Sequence, residues 1–270
     1  MRGAMQMTVL NPVPPRPLPP RPEVALREAL DALRSGFFDG ACTACDYAGL
    51  ARSAELAGLA SAAGALAGFD PKKLGIAQQI AFWINCYNAL VLQAVLKASV
   101  KDSVQKSTDF FRVWRYRIAG HEFSLNDIEH GVLRGNAARY GHLRGQFERN
   151  DPRATYITLL ADARVHFGMY SACRSSPSLR VFHGTSIEEE LETATRDFLW
   201  RTVEVSPDGA VVRVPEIFKW YAADFGGDDD VLEFVVARIE DQATVERVDA
   251  RLGRVSIHYH KHDWTLNARG

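Results

Sequence analysis

Cys86 lies in the run Ala81-Phe82-Trp83-Ile84-Asn85-Cys86-Tyr87-Asn88-Ala89-Leu90, a thiol and two amides inside an otherwise apolar segment. A cysteine is both a good nucleophile and a good leaving group, so this placement suggests covalent acyl transfer. Such a thiol needs a base, and a carboxylate to orient that base. His130 is the expected base, with His121 as the second candidate. Asp109 is the expected orienting acid. Asp127 is the alternative, although a helix-capping role already explains it. Buried amides need partners. Asn85 and Asn88 either support the site, bind an oxyanion, or tie the buried segment to a neighbouring loop.

The remaining candidates read more plainly. His166 sits in an apolar run and reads as a satisfied core histidine. His258, His260 and His262 alternate on one strand face without a clear carboxylate partner, so no metal site is expected. Cys42-Thr-Ala-Cys45 is a lone CxxC without a second pair, which reads as a packed helix end. No cofactor is implied.

These residues need elements to position them. Helical periodicity covers 23–35 and 46–66, and Asp70-Pro71 marks a new start. Residues 74–98 read as a central buried helix. Cys86 would then lie about three turns in, beyond help from the helix dipole, so its thiolate would need a nearby histidine. Residues 112–125 read as a hairpin turning at Ala119-Gly120, with Ile118 opposite His121. Extending that register puts Asp109 near residue 130. Ser124 and Asp127 form a capping-box pattern. Residues 163–170 read as a buried strand and 186–200 as a helix. A second hairpin turns at Pro207-Asp208-Gly209, and helices follow over 215–224 and 230–241. The sum is an α+β fold in a single domain over 23–270. A central buried helix packs with short antiparallel strands and hairpins, behind a Pro-rich extended leader over 1–22.

The totals narrow the function classes. The 270 residues are 47% hydrophobic and 24% charged with a net charge of -1, which gives no electrostatic case for nucleic acid or an anionic membrane. No uninterrupted apolar span and no signal-like start are seen, so a cytoplasmic location is expected. Seven of the twelve prolines lie in 11–22, a polyproline II segment read as a leader or a docking arm.

Five motifs together carry a family resemblance. They are Phe82-Trp83-Ile84-Asn85-x-Tyr87-Asn88-Ala89-Leu90, Ser124-Leu125-x-Asp127-Ile128-Glu129-His130-x-x-Leu133-Arg134, Arg164-Val165-His166-Phe167, Ile217-Phe218-Lys219-Trp220-Tyr221-x-x-Asp224-Phe225-Gly226 and Asp263-Trp264-Thr265-Leu266-Asn267. The set resembles the domain-of-unknown-function 547 family over about 75–267. The family pattern has an apolar residue at Cys86 and a cysteine at Ser176, so on that comparison a loop thiol is absent and a helix thiol is present.

A narrower resemblance is to the Dieckmann cyclases of tetramate and pyridone biosynthesis, thiol enzymes with a Cys–His–Asp order. It implies a thiol-enzyme-like fold and the off-loading of a β-ketoacyl-aminoacyl thioester from a carrier protein as a tetramic acid or pyridone. The partners implied are an acyl or peptidyl carrier protein bearing phosphopantetheine and a small polyketide–peptide substrate in antibiotic biosynthesis. An apolar pocket is then expected near Cys86. The alternatives are a cysteine hydrolase or acyltransferase, and a non-catalytic interaction module.

Overall fold

The computed structural model describes residues 7–11, 17–158 and 162–269. Half of the leader, including the prolines at 12–16, lies outside the described residues. Of its neighbours, β1 (Thr8–Val9) and Asn11 dock on the body. The Asn11 amide donates to Ala63 O and Arg117 O and accepts from Arg117 N–H.

Helix α1 (Pro22–Phe37) starts on a proline, whose missing N–H costs nothing at a first turn. It buries Leu26, Leu30 and Leu33 along one stripe. The helical pattern of 46–66 divides into α2 (Tyr47–Leu50) and α3 (Ala54–Ala65) because it holds two caps, Asp46 and Ser53. Asp70 caps a short 3₁₀ turn, and the central helix α4 (Ile76–Lys97) begins only at Ile76. By length and apolarity α4 alone of the described helices could cross a membrane, but the rest of the protein covers it. Every residue from Ile80 to Val95 is buried.

The short helix α5 (Phe110–Val113) leads into β2 (Trp114–Ile118) and β3 (His121–Ser124). The hairpin has the expected register, Ile118 opposite His121, with Ala119 and Gly120 both at positive φ as a tight hairpin turn requires. Ser124 and Asp127 form the expected reciprocal cap: Ser124 Oγ and N–H donate to Asp127 Oδ2, and Asp127 N–H donates to Ser124 Oγ. The segment it opens is π-helical, Asp127–Leu133, with Arg134 N–H donating to Glu129 O five residues back. Gly131 allows this, since a Cβ there would lie 2.3 Å from Phe147 Cζ.

Residues 163–170 are not a strand. They hold the helical turn α6 (Val165–Gly168). A short apolar run fits either element by pattern alone. Here Asp162 Oδ1 accepts the Arg164 N–H and Asp162 also binds the Arg164 guanidinium, which starts a turn.

The chain continues through α7 (Ile187–Thr202), β4 (Glu204–Val205), β5 (Val211–Pro215), α8 (Ile217–Trp220), α9 (Asp228–Val236), α10 (Gln242–Asp249) and β6 (Ser256–His260). The fold is α+β with two three-stranded sheets, β1-β2-β3 and β4-β5-β6. The expected antiparallel hairpins are present, and each sheet gains a parallel edge strand, β1 or β6. After β6 the tail 261–269 crosses back over the loop that follows α6. Arg174 N–H donates to Thr265 O, Cys173 bridges Leu266, and Asn267 Oδ1 accepts the hydroxyls of Tyr47 and Tyr170.

Candidate active site

The loop 168–182 is held by its main chain. Asn88 accepts from Tyr170 N–H and donates to Gly168 O and Arg180 O, while Asn85 binds both backbone groups of Phe182. Of the roles considered for these amides, tying the central helix to a neighbouring loop is the one observed. Ser176 is a structural residue. Its hydroxyl accepts from Ser171 N–H and donates to Pro177 O.

The same loop carries Cys173, so a loop thiol is present after all, three residues upstream of the position inspected. Ala172 before it is at φ 56, a conformation that non-glycine residues rarely adopt and that functional sites often hold. Cys173 Sγ lies 3.2 Å from Nε2 of His262, which the returning tail supplies. Ser171 Oγ is 3.3 Å from the same sulfur. Burial pushes the Cys173 thiol up to about 11, against offsets from the Ser171 hydroxyl and the Ser175 and Ser176 N–H groups. Burial pushes His262 down to about 4, against the opposing charges of Glu216 and Asp263. At neutral pH the pair is therefore a neutral thiol beside a neutral imidazole. His262 Nδ1 is buried without a hydrogen-bond partner among the described residues.

Ser171 and His262 face a cavity of about 250 Å³. Tyr87, Phe111, Trp220, Tyr221 and Trp264 give it aromatic walls. Its other polar wall comes from the π-helical segment and α6. His166 Nε2–H donates to Asp224 Oδ2 at 2.7 Å, and Arg134 clamps the same carboxylate through Nε and Nη2. Asp224 is thereby held well below the usual carboxylate range, the His166 and Arg134 bonds outweighing its desolvation. Glu129 accepts the hydroxyls of Tyr87 and Tyr221. Burial alone would raise its pKa, but the charges around it and the Tyr221 bond leave it lowered and ionised.

His130 cannot serve as the base expected of it. Its Nδ1 lies 2.8 Å from Arg134 Nη1, and a guanidinium only donates. The proton of the neutral ring must then sit on Nε2, which becomes a donor to the cavity. Burial holds His130 at about 4, so the ring stays neutral at pH 7. His166 gives its Nε2–H to Asp224, and its Nδ1 makes no hydrogen bond to protein among the described residues.

The other expected residues are apart from this cavity. Cys86 is fully buried in α4, with no hydrogen bond and no histidine beside it among the described residues, and burial raises its thiol well above the usual range. It is a core residue, and the cavity does not include it. Asp109 sits at positive φ before α5, exposed and 3.7 Å from Arg112. The turn of α5 ends the hairpin there, so the extended register that would bring Asp109 to His130 does not exist. His121 lines a shallow depression with Asp151 and Arg153, its ring against Tyr156. No hydrogen bond or ion pair joins Cys86, Asp109, His121 and His130 to one another among the described residues. The three alternating histidines also separate: His260 Nε2 binds Thr202 O on β6, and His262 lies past the strand.

Sequence reasoning missed Cys173, His166, Asp224 and His262 as a group. The signal was there, because His166 and Asp224 both fall inside the collinear motifs. So do Glu129, Arg134 and Tyr221.

The two buried histidines predict a pH response. Unfolded, each titrates near 6.5; folded, each stays neutral down to about 4. The stability they contribute is complete above pH 6.5 and is lost as pH falls toward 4. Denaturant unfolding should lose on the order of 3 kcal/mol per histidine, as an upper bound, across that window. A His130→Gln variant should show about half the slope, and a flat wild-type profile would contradict the tautomers above.

Fold and site together define an α+β protein whose cavity is lined by His262, the partner of a buried cysteine, and by residues of a buried ionic network. Residues 71–199 match the family model described as Protein of unknown function, DUF547. This stretch includes Cys173, Glu129, His130, Arg134 and His166, while Tyr221, Asp224 and His262 lie outside the match. No match to this chain was found among curated proteins or among solved structures.

Proposed function

We propose that the protein is a cysteine-dependent acyl-transfer enzyme whose nucleophile is Cys173. The observation that carries this reading is Cys173 Sγ, itself buried, at 3.2 Å from Nε2 of His262, a ring that lines an aromatic-walled cavity. A nucleophile within hydrogen-bond reach of its base is the minimum such chemistry requires. In the first half-reaction Cys173 gives its proton to His262 Nε2 as the sulfur attacks a thioester or amide carbonyl. A carbon–sulfur bond forms, and the tetrahedral intermediate expels the leaving thiol or amine, which takes that proton. His130 Nε2–H and the Asn126 amide line the cavity and supply donors for an oxyanion.

The acyl-enzyme can then pass its chain to water, to an amine, or to a carbon of the chain itself. The last is the Dieckmann closure of a carrier-bound β-ketoacyl-aminoacyl chain, and it remains the narrower proposal, with Cys173 in the place first given to Cys86. Incubation with simple thioesters such as N-acetylcysteamine acyl donors tests the class. Intact-mass and peptide mapping should find one acyl group on Cys173. A ring among the products of a β-ketoacyl-aminoacyl thioester supports the cyclase, and a free acid supports a hydrolase. No adduct overturns the assignment and favours an interaction module, and an adduct confined to Cys86 overturns it in favour of a nucleophile on the central helix.

A further inference from the structure

We infer that a second cavity, between Arg34, Arg180 and Arg201, binds a phosphate group. The site does not rest on the acyl transfer proposed above, and its residues take no part in that reaction.

The cavity, of about 390 Å³, lies where three elements meet. Helix α1 supplies Arg34, the end of the loop 168–182 supplies Ser178 and Arg180, and α7 supplies Asp197, Trp200 and Arg201. Each guanidinium touches another residue of the wall, so all three charged ends stand at the cavity. Arg34 Nη1 lies 3.6 Å from Cys42 Sγ, Arg201 Nη2 donates to Ser178 Oγ at 3.2 Å, and Arg180 Nη2 binds Asp197.

The neighbouring acids leave much of this donor capacity unused. Asp197 is the one acid on the wall among the described residues. Asp31 takes Nε and Nη2 of Arg34 and leaves Nη1 on a thiol sulfur, a weak acceptor that an oxyanion can replace. Arg180 Nε and Nη1 and Arg201 Nη1 have no protein acceptor among the described residues, and Arg201 makes no ion pair among them. The charges of Asp39 and Glu190 reach Arg201 and Arg180 only from farther off. Both acids have closer partners, Asp39 in Thr43 and the Ala44 N–H, Glu190 in His183. The crowding of like charges is felt. Partial burial and the charge of Arg34 leave Arg180 below the usual arginine range, against pulls from Cys42 and Glu190.

An anion that accepts from all three guanidiniums relieves that crowding. A phosphate suits the place better than a carboxylate. It offers at least three acceptor oxygens to donors from three elements, and each planar guanidinium fork can take two of them. Trp200, 75% exposed on the same wall, gives an organic substituent a face to lie on. A phosphate bridging Arg180 to Arg34 and Arg201 also fastens the end of the loop that carries Cys173 to α1 and α7.

The test titrates inorganic phosphate, phenyl phosphate and acetate into the full-length protein at pH 7 and constant ionic strength, followed by calorimetry. Phosphate should bind at one site at least about tenfold more tightly than acetate. Arg201→Gln and Arg180→Gln, each with an unchanged circular dichroism spectrum, should weaken phosphate binding about tenfold, the scale of one lost hydrogen bond to a charged group. Phenyl phosphate binding more tightly than inorganic phosphate, with the gain lost in Trp200→Ala, supports the site with an esterified phosphate as its ligand. Equal affinities support it with the free ion. No saturable binding of either phosphate, an affinity no greater than that for acetate, or unchanged binding in both folded variants overturns the inference. Should neither variant fold, the comparison of phosphate with acetate decides alone.

Discussion

Cys173→Ala should keep its fold and lose acyl-transfer turnover by at least about a thousandfold, the scale expected when a covalent nucleophile is removed. Cys86→Ala should keep turnover, since Cys86 is sealed in α4 with no base beside it. It should instead lose on the order of 1 kcal/mol of stability, the cost of a small core void. Reversed results would return the nucleophile to the central helix. The resting state of the pair adds a second readout. With the thiol near 11 and His262 near 4, the thiolate is scarce at neutral pH. Alkylation of Cys173 by iodoacetamide should therefore rise about tenfold per pH unit from 7 to 10. A plateau at or below pH 8 would mean that a thiolate–imidazolium pair is already populated, and the neutral pair described above would be wrong.

Asp224→Asn should destabilise the protein by roughly 3–5 kcal/mol, the range for breaking a buried pair from one side. Asp224 takes two bonds from Arg134 and one from His166, and the neutral amide leaves the guanidinium buried without its counter-charge. The damage should spread to the tautomers. Once Arg134 is released, nothing fixes His130 as a donor, and His166 loses the acceptor that orients it. A double-mutant cycle with Arg134→Gln should give a coupling above about 1 kcal/mol. Additive losses would show that the clamp is not a unit. Unfolding midpoints in denaturant measure both quantities.

What could be read from the chain beforehand was local. The periodicity of α1, α4 and α7, the Ala119-Gly120 turn and the Ser124–Asp127 cap all rest on neighbours in sequence, and each formed as expected. What could not be read depends on partners far along the chain. The π-helical turn follows from Phe147 packing onto Gly131. The short run around His166 became helical because Asp162 and Asp224 bind its ends. Cys173 and His262 are brought together only by the returning tail. Cys86 is an odd thiol in an apolar segment, yet what separates it from the equally buried Cys173 is that only Cys173 has a histidine nitrogen within hydrogen-bond reach among the described residues. The useful clue was a different one. Charged and polar residues in separate motifs, His166 and Asp224 among them, had no local use and so had to find each other.

The amides of Asn85 and Asn88 have a consequence for how such a site can evolve. They grip the loop 168–182 by peptide groups, which every residue type possesses, and not by side chains. The backbone path is thus largely independent of which residues occupy it. Side chains along the loop can change without the loop changing shape. Such a scaffold lets the reactive atom drift along the chain while the cavity it serves stays where it was.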